Sequence, residues 1–306
     1  MASSYVRLDN LITDMPAVHK GYILALQAGI NMSNKLLFAS TNGALEYKYN
    51  RIDTLPEAAF TAINEDPTDA RTTPLPMTLG LKIVSRSFSL DDLLPATEQG
   101  AQRQAAAVSI SRTFDKYFFQ GDSNGNQKEF DGIAKIASDN SAEVEMATNG
   151  AVLAIKNLDE LIELAHGCAD GDVARMELLM NNTMNIQLKA LLDAKTALTK
   201  EYNMAGGYVT MYSGIPIRIV RKDVANAAIL PDTEELGSST AVCTSIYCVT
   251  YARNEAQPGV FAVMSGAPVE GFVGTGVGKR TLARWPVAVG CSHKYGVCAL
   301  KGIKKA

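Results

Sequence analysis

The sequence predicts an α+β protein, and three patterns carry that prediction. The segment Ala96 to Gln120 has the 3.6-residue apolar stripe of one long helix, and shorter stripes begin near Leu158 and Met184. Alternating or continuous apolar runs at 44–51, 77–88, 176–180, 208–220, 242–251, 260–264, 281–289 and 295–300 read as strands. Turn clusters separate these runs, with no internal repeat and no low-complexity tract. The 306 residues include 29 basic and 32 acidic side chains and are 47% hydrophobic, which suits a large folded core and leaves no basic field for gripping nucleic acid. The chain starts without a cationic, apolar leader and has no run long enough to span a bilayer, so no signal peptide, no membrane contact and a cytoplasmic chain are expected.

Pro16 opens a segment with apolar positions at Val18, Tyr22, Leu26 and Ile30, the pattern of an amphipathic helix of about four turns. After the turn at Asn42-Gly43, Ala44 to Arg51 alternates, with Leu45, Tyr47 and Tyr49 on one face and Glu46 and Lys48 on the other. Met77 to Phe88 is expected as its partner strand. Between them, residues 53–76 hold four prolines and five acids, which cannot form a packed core element. Such a connection is either a mobile loop or a two-stranded arm, and an isolated two-stranded ribbon is marginal in water. An arm therefore implies a neighbouring molecule to lie on.

Ser89, with Asp91 and Asp92 behind it, reads as a helix start that Pro95 interrupts. From Ala96 to Gln120, Ala107, Ile110, Phe114 and Tyr117 form one stripe, widened by Ala101, Ala105 and Val108, on a helix about 35 Å long. Gly121 to Gly125 is a turn cluster leading to Phe130-Asp131-Gly132-Ile133. Farther on, Leu158, Leu161, Ile162 and Ala165 mark a helix, Met176 to Met180 a buried strand, and Met184, Leu188, Leu191 and Leu192 another helix, with Asn181 to Thr183 supplying the turn and cap. Tyr208–Tyr212 and Ile215–Val220 form a hairpin through Ser213-Gly214. Asp223 to Thr240, carrying Pro231 and four acids, reads as a second exposed loop.

Searches for chemistry fail at specific positions. Gly274-Thr-Gly276-Val-Gly278-Lys279-Arg280 lacks the first glycine and the magnesium-binding hydroxyl of a phosphate loop. Asp122, Asn124 and Asn126 alternate as in a calcium loop, but Gln127 and Ile133 stand where glycine and a bidentate glutamate belong. Ser213 and Ser265 precede glycine without a nucleophile elbow or histidine partner. The five cysteines, at 168, 243, 248, 291 and 298, are too sparse for a disulfide scaffold and read as reduced thiols. Cys291, Cys298 and His293 are the nearest approach to a metal site, in spacing that structural zinc does not favour. No catalytic, cofactor-binding or metal residue is expected, and a large core with a projecting arm points to an assembly component, not an enzyme.

Two stretches carry a family likeness. Ala101-Gln-Arg103-Gln-Ala-Ala-Ala-Val108 through Phe114-Asp-Lys-Tyr-Phe-Phe-Gln-Gly121-Asp122, then Glu129-Phe-Asp-Gly-Ile133, resembles the spine helix and following turn of tailed-bacteriophage major capsid proteins with the Hong Kong 97 fold. Leu178-Leu-Met-Asn181-Asn182-Thr183 and Ser213-Gly-Ile-Pro216-Ile217 are similar to that family's axial domain. The resemblance implies an N-terminal arm and helix over 1–43, an extended loop over 44–90, a peripheral domain with the spine helix over 91–150, an axial domain over 151–264 and returning strands over 265–306. It implies self-assembly through hexamers and pentamers into an icosahedral virion shell around double-stranded DNA touched non-specifically, built in the host cytoplasm with scaffolding and portal proteins, with room for a decoration protein. A separate scaffold is expected because no long helical extension precedes the arm. Some members crosslink through a loop lysine, and residues 53–76 contain Arg71 but no lysine, so a non-covalent shell is expected. Arg7, Glu57, Glu65, Asp69 and Arg71 are the candidate inter-subunit contacts. The same fold serves encapsulin nanocompartments that hold cargo enzymes, which is the alternative; a soluble α/β enzyme is the second.

Overall fold

The structure, a computed structural model, describes residues 5–6, 32–53, 56–58, 60–66, 69, 72–91, 96–193, 199–202, 208–254, 257–266, 268–275 and 278–305. The amphipathic helix expected from Pro16 lies outside the described residues. In chain order, the first half holds β1 (Tyr5–Val6), β2 (Phe38–Ser40), β3 (Glu46–Arg51), β4 (Leu75–Gly80), β5 (Lys82–Asp91), α1 (Ala96–Gln120), α2 (Ile133–Asp139), β6 (Glu143–Glu145) and β7 (Ala151–Val152). Next come α3 (Ile155–Ala169), β8 (Met176–Met180), α4 (Asn182–Asp193), β9 (Thr199–Tyr202), β10 (Tyr208–Tyr212), β11 (Ile215–Ile219) and β12 (Glu234–Leu236). The last strands are β13 (Ser239–Thr250), β14 (Val260–Met264), β15 (Val269–Thr275), β16 (Gly278–Cys291) and β17 (Val297–Lys304).

The strands form two sheets and a separate ribbon. One sheet runs β1-β2-β14-β16-β15 with β5 also paired to β16; the other runs β6-β17-β13-β8-β11-β10-β9, with β12 on β13 and β7 on β17. The ribbon is β3 against β4. Strands β8, β13 and β17 lie between two hydrophobic cores. Alternation decides which residue enters which core: Leu179, Tyr247, Val249, Val297 and Ala299 face the aromatic core under α1. Leu178, Ile246, Cys248, Cys298 and Leu300 face the aliphatic core under α3 and α4. Covered on both sides, these strands are mostly apolar, and the polar residues within them, such as Glu177 and Ser245, are buried and hydrogen-bonded.

Helix α1 spans the length the sequence predicts, but its buried face is rotated from the expected stripe. Ala106, Ala107, Ile110, Phe114, Phe118 and Phe119 are buried, whereas Tyr117 is half-buried and Ala101, Ala105 and Val108 are exposed. The aromatic residues set this rotation: Phe114 lies 5.1 Å from Trp285 and 5.7 Å from Phe130, and Phe118 meets Phe119 at 5.3 Å. Large rings bury the most apolar area, so they outvote the alanines.

Two other expectations are corrected. The single strand expected over Met77 to Phe88 is two strands: Leu81 is buried and its N–H donates to Leu45 O (2.8 Å), leaving the arm ladder, while β5 continues in a ten-residue antiparallel register with β16. That register extends through Ser89 and Asp91, so the expected helix start is the end of a strand. The stretch Asp223 to Thr240 is not an exposed loop. Ile229 and Leu230 are buried in the aromatic core, β12 pairs with β13, and the Asp223 carboxylate accepts from the N–H groups of Ala225 and Ala227. The Ser213-Gly214 hairpin is as expected, both residues taking positive φ (52° and 78°) as a tight two-residue turn requires.

Polar ties join the parts. Asn181 is the N-cap of α4: its Oδ1 accepts from Met184 N–H (2.8 Å), and its Nδ2 donates to Leu230 O, Asp232 and Thr244 Oγ1. Along α1, successive turns are bolted to residues 221–229. Arg221 donates to Ser111 Oγ and pairs with Asp115 (2.6 Å), Lys116 pairs with Asp223, and Gln120 Nε2 donates to Ile229 O. Asp115 also accepts from Met32 N–H (3.2 Å).

Asn181→Ala removes a cap and one of the two donors to the Asp232 carboxylate, which keeps Thr183 Oγ1 (2.9 Å), so unfolding by denaturant should show a loss of about 2 kcal/mol. Burial pushes Asp115 up to about 6 from 3.8, against the opposing pull of Arg221. The folded chain thus takes up a proton that the unfolded chain does not between those values. This group then adds stability as pH falls through 6 and withdraws it as pH rises. The stability of the wild type relative to Asp115→Asn should therefore increase by up to about 3 kcal/mol from pH 7 to pH 4. A flat difference across that range would refute the assignment.

Candidate assembly interface

The arm is built from the ribbon and what lies beyond it. In β3, exposed Glu46, Lys48 and Asn50 alternate with partly buried Tyr47, Tyr49 and Arg51, the period of a ribbon with one supported face. Support comes from Phe261 of β14, which meets the Tyr49 ring at 5.2 Å and 88° and the Tyr47 ring at 6.0 Å and 66°. Tyr49 also donates from its hydroxyl to Cys291 O at 3.0 Å. One residue pair on, Arg51 donates to Asn140 Oδ1 (2.7 Å) and to Asp53 Oδ2, whose other oxygen accepts from Lys294 N–H (3.0 Å). Lys294 stands in the turn by which the chain passes from β16 in one sheet to β17 in the other. The root of the arm is therefore fixed to both halves of the body.

Past Asp53 this support ends. Every described residue from Pro56 to Asp69 is exposed, and Phe60 and Ile63 expose 106% and 94% of their reference surface. Among the candidate contacts, Glu57, Glu65 and Asp69 stand on this tip, while Arg7 and Arg71 lie outside the described residues. Glu65 has a local task as well: its Oε2 accepts from Ala62 N–H (2.8 Å) and its N–H donates to Ala62 O, closing a turn that presents Ile63, with Asn64 at φ 67°. The charge pattern drew attention to the acids and passed over Phe60 and Ile63. Their signal was present as two apolar side chains in a segment otherwise too polar to hold a core. At the N-terminus, Tyr5 and Val6 pair antiparallel with Ala39 and Phe38.

The motif after α1 is a backbone lock. Gly132 N–H donates to Gly121 O (2.9 Å), and a Cβ at Gly132 would sit 2.6 Å from Tyr117 O and 2.8 Å from Gly121 N, too close for any other residue. Asp131 accepts from Ser123 N–H, and Asp122 from Asn124 N–H, so the alternating oxygens serve their own loop. The glycine-rich segment at 274–280 is split between paired strands, Thr275 opposite Gly278.

The thiols are all buried. Cys291 donates to His293 O and Cys298 to Tyr295 O; burial pushes the Cys248 and Cys168 thiols up to about 12 and Cys291 up to about 11, while His293 is held below its usual range. A cleft of about 670 Å³ beside the arm root includes Cys168, Arg175 and His293. Its guanidinium is already spent on Pro258 O, Cys168 O and Ala169 O, where it caps the end of α3. Among the described residues no three His, Cys, Asp or Glu side chains converge on a possible metal position, and no helix is long and apolar enough to cross a membrane.

No family model matches the sequence, and no curated protein matches it. Solved structures do match in fold. The SrpI encapsulin of Synechococcus elongatus superposes with a TM-score of 0.62 at 12% identity, covering 96% of this chain and 91% of that one. The capsid protein of an empty GTA particle gives 0.60 at 15% identity over 85% of each chain. A structure from Mycobacterium phage Adephagia gives 0.53 at 16% identity over 90% of this chain and 92% of that one. At these identities the likeness is one of architecture, and it runs the length of both partners. A long helix laid across one sheet, a second sheet shared between two cores and an arm thrown out beyond them make this chain an α+β protein with the Hong Kong 97 capsid fold.

Proposed function

We propose that this chain is the repeating subunit of a closed icosahedral shell, assembled through hexamers and pentamers around the double-stranded DNA of a tailed bacteriophage. One observation carries the proposal: a ribbon with a rigidly bolted root ends in a tip whose Phe60 and Ile63 are as exposed as in an unfolded chain. A lone protein gains nothing from such an element, whereas a neighbour that covers it supplies the missing core. The capsid structures of similar fold support this reading. Near-balanced charge suits a wall that encloses DNA without holding it. Scaffolding, portal and decoration proteins as partners, and assembly in the host cytoplasm, belong to the same proposal on the strength of the family resemblance. So does a division into arm, loop, peripheral and axial domains. An encapsulin-type shell around cargo enzymes is the second reading, favoured by the likeness to the SrpI particle.

The shell is proposed to be non-covalent. Residues 53–76 contain no lysine, and of the two lysines on the arm and its continuation, Lys82 donates its ammonium to Gln127 O (2.6 Å) while Lys48 is exposed on β3.

Light scattering and negative-stain microscopy of the purified chain should show hollow shells or capsomer rings; a stable monomer or dimer would contradict the shell and restore the soluble-enzyme alternative. Native particles should contain DNA, and a packaged enzyme in its place would favour the encapsulin reading. Boiled in detergent and reductant, particles should run as one band of subunit size, with a ladder of multiples as the contrary result.

A further inference from the structure

The solvent side of α1 carries a groove of about 440 Å³. Its apolar lining includes Ala101, Ala105 and Val108, the residues expected to widen the buried stripe and found exposed instead. Four polar side chains line the same groove: Arg86 of β5, and Gln104, Ser109 and Arg112 of α1. None of these side chains makes a hydrogen bond or ion pair with a described residue, and Arg112 Nε has no partner although it is shut off from solvent. Among the described residues no acid lines the groove. Elsewhere along α1, polar groups are spoken for: Arg103 pairs with Glu270 (3.0 Å), Ser111 accepts from Arg221, and Lys116 pairs with Asp223. Asp115, the acid nearest to Arg112 in the helix sequence, is already taken by Arg221 and Met32 N–H.

Two guanidinium groups without a counter-charge, beside a free amide and a free hydroxyl, make an anion site. The number of donors selects the anion. One guanidinium fork fills the two oxygens of a carboxylate, whereas a pair of forks suits either the four oxygens of inorganic phosphate or two successive phosphodiesters of a nucleic-acid strand. We propose that the groove is a phosphate-binding site. Arg86 and Arg112 hold the phosphate oxygens, Gln104 and Ser109 add neutral donors, and Ala101 and Ala105, with nothing beyond Cβ, let the anion lie close to the helix. In the proposed shell the enclosed DNA is the abundant source of phosphate, and two contacts per subunit touch it without gripping it, because salt weakens each such contact steeply. The groove belongs to a single chain, so it is tested without a shell and stands or falls apart from the shell reading.

Two probes test it on the purified, unassembled chain. Inorganic phosphate is read by thermal melting against chloride at equal ionic strength, and a short random-sequence DNA duplex by fluorescence anisotropy across a salt series. Phosphate stabilises many proteins by exclusion from their surface, so the comparison is with variants. Arg86→Gln with Arg112→Gln should remove the extra melting shift that phosphate gives the wild type. The same pair should weaken duplex binding about tenfold and flatten the slope of log affinity against log salt by about 2. Arg86→Gln alone, at an exposed position, should flatten it by about 1, which keeps the test decisive if half-buried Arg112 is needed for folding. Arg280→Gln with Arg284→Gln removes the same charge at two exposed positions outside the groove and should leave the phosphate shift unchanged. A phosphate shift lost in the groove variant with duplex binding unchanged keeps the site and makes free phosphate its ligand. A shift retained in the groove variant, equal losses in the groove and control variants, or a wild type that binds neither probe overturns the site.

Discussion

Three strands of this protein have no solvent face, and the rest of the fold is arranged around that constraint. β8, β13 and β17 must be covered twice, by α1 and its aromatic residues on one side and by α3 and α4 on the other. Alternate residues of a single strand therefore serve different cores, and a one-residue slip would exchange the two sets. Polar groups buried near this layer are correspondingly tied down. Asn181 holds the turn after β8, Arg175 the end of α3, and the Asp115–Arg221 pair joins α1 to the segment leaving β11. Each of these is costly to bury unpaired and inexpensive once paired.

The arm obeys the opposite rule. Its root borrows support from both sheets through Tyr49, Arg51 and Asp53, and its tip has no core at all. A rigid root fixes the direction in which an uncovered tip points, which lowers the ordering cost of meeting a neighbour. Many such modest contacts, linked through a closed shell, hold more firmly than any one of them alone.

Much of this was legible in the sequence where burial and period agree. Met176 to Met180, Val260 to Met264 and the limits of α1 follow directly from apolar pattern, and the Asn181 turn from cap chemistry. Legibility fails where a tertiary partner decides. Nothing local to Met77–Phe88 marks the break at Leu81, which exists because β5 finds a ten-residue partner almost two hundred residues later in β16. The rotation of α1 depends on Trp285, and the burial of Ile229 and Leu230 on the core they reach. Of the interface, the acids Glu57, Glu65 and Asp69 were read from their density between prolines, but the apolar pair they flank acquires meaning only when its exposure is seen.

The central claim is that the tip of the arm is an incomplete structure that a neighbouring subunit completes. Amide hydrogen exchange across residues 56–69, compared between unassembled chains and isolated particles, tests it most directly. The account predicts fast exchange in the free chain and strong protection in the particle across the tip, while β8, β13 and β17 are protected in both. Tip amides that exchange equally fast in both states would contradict it.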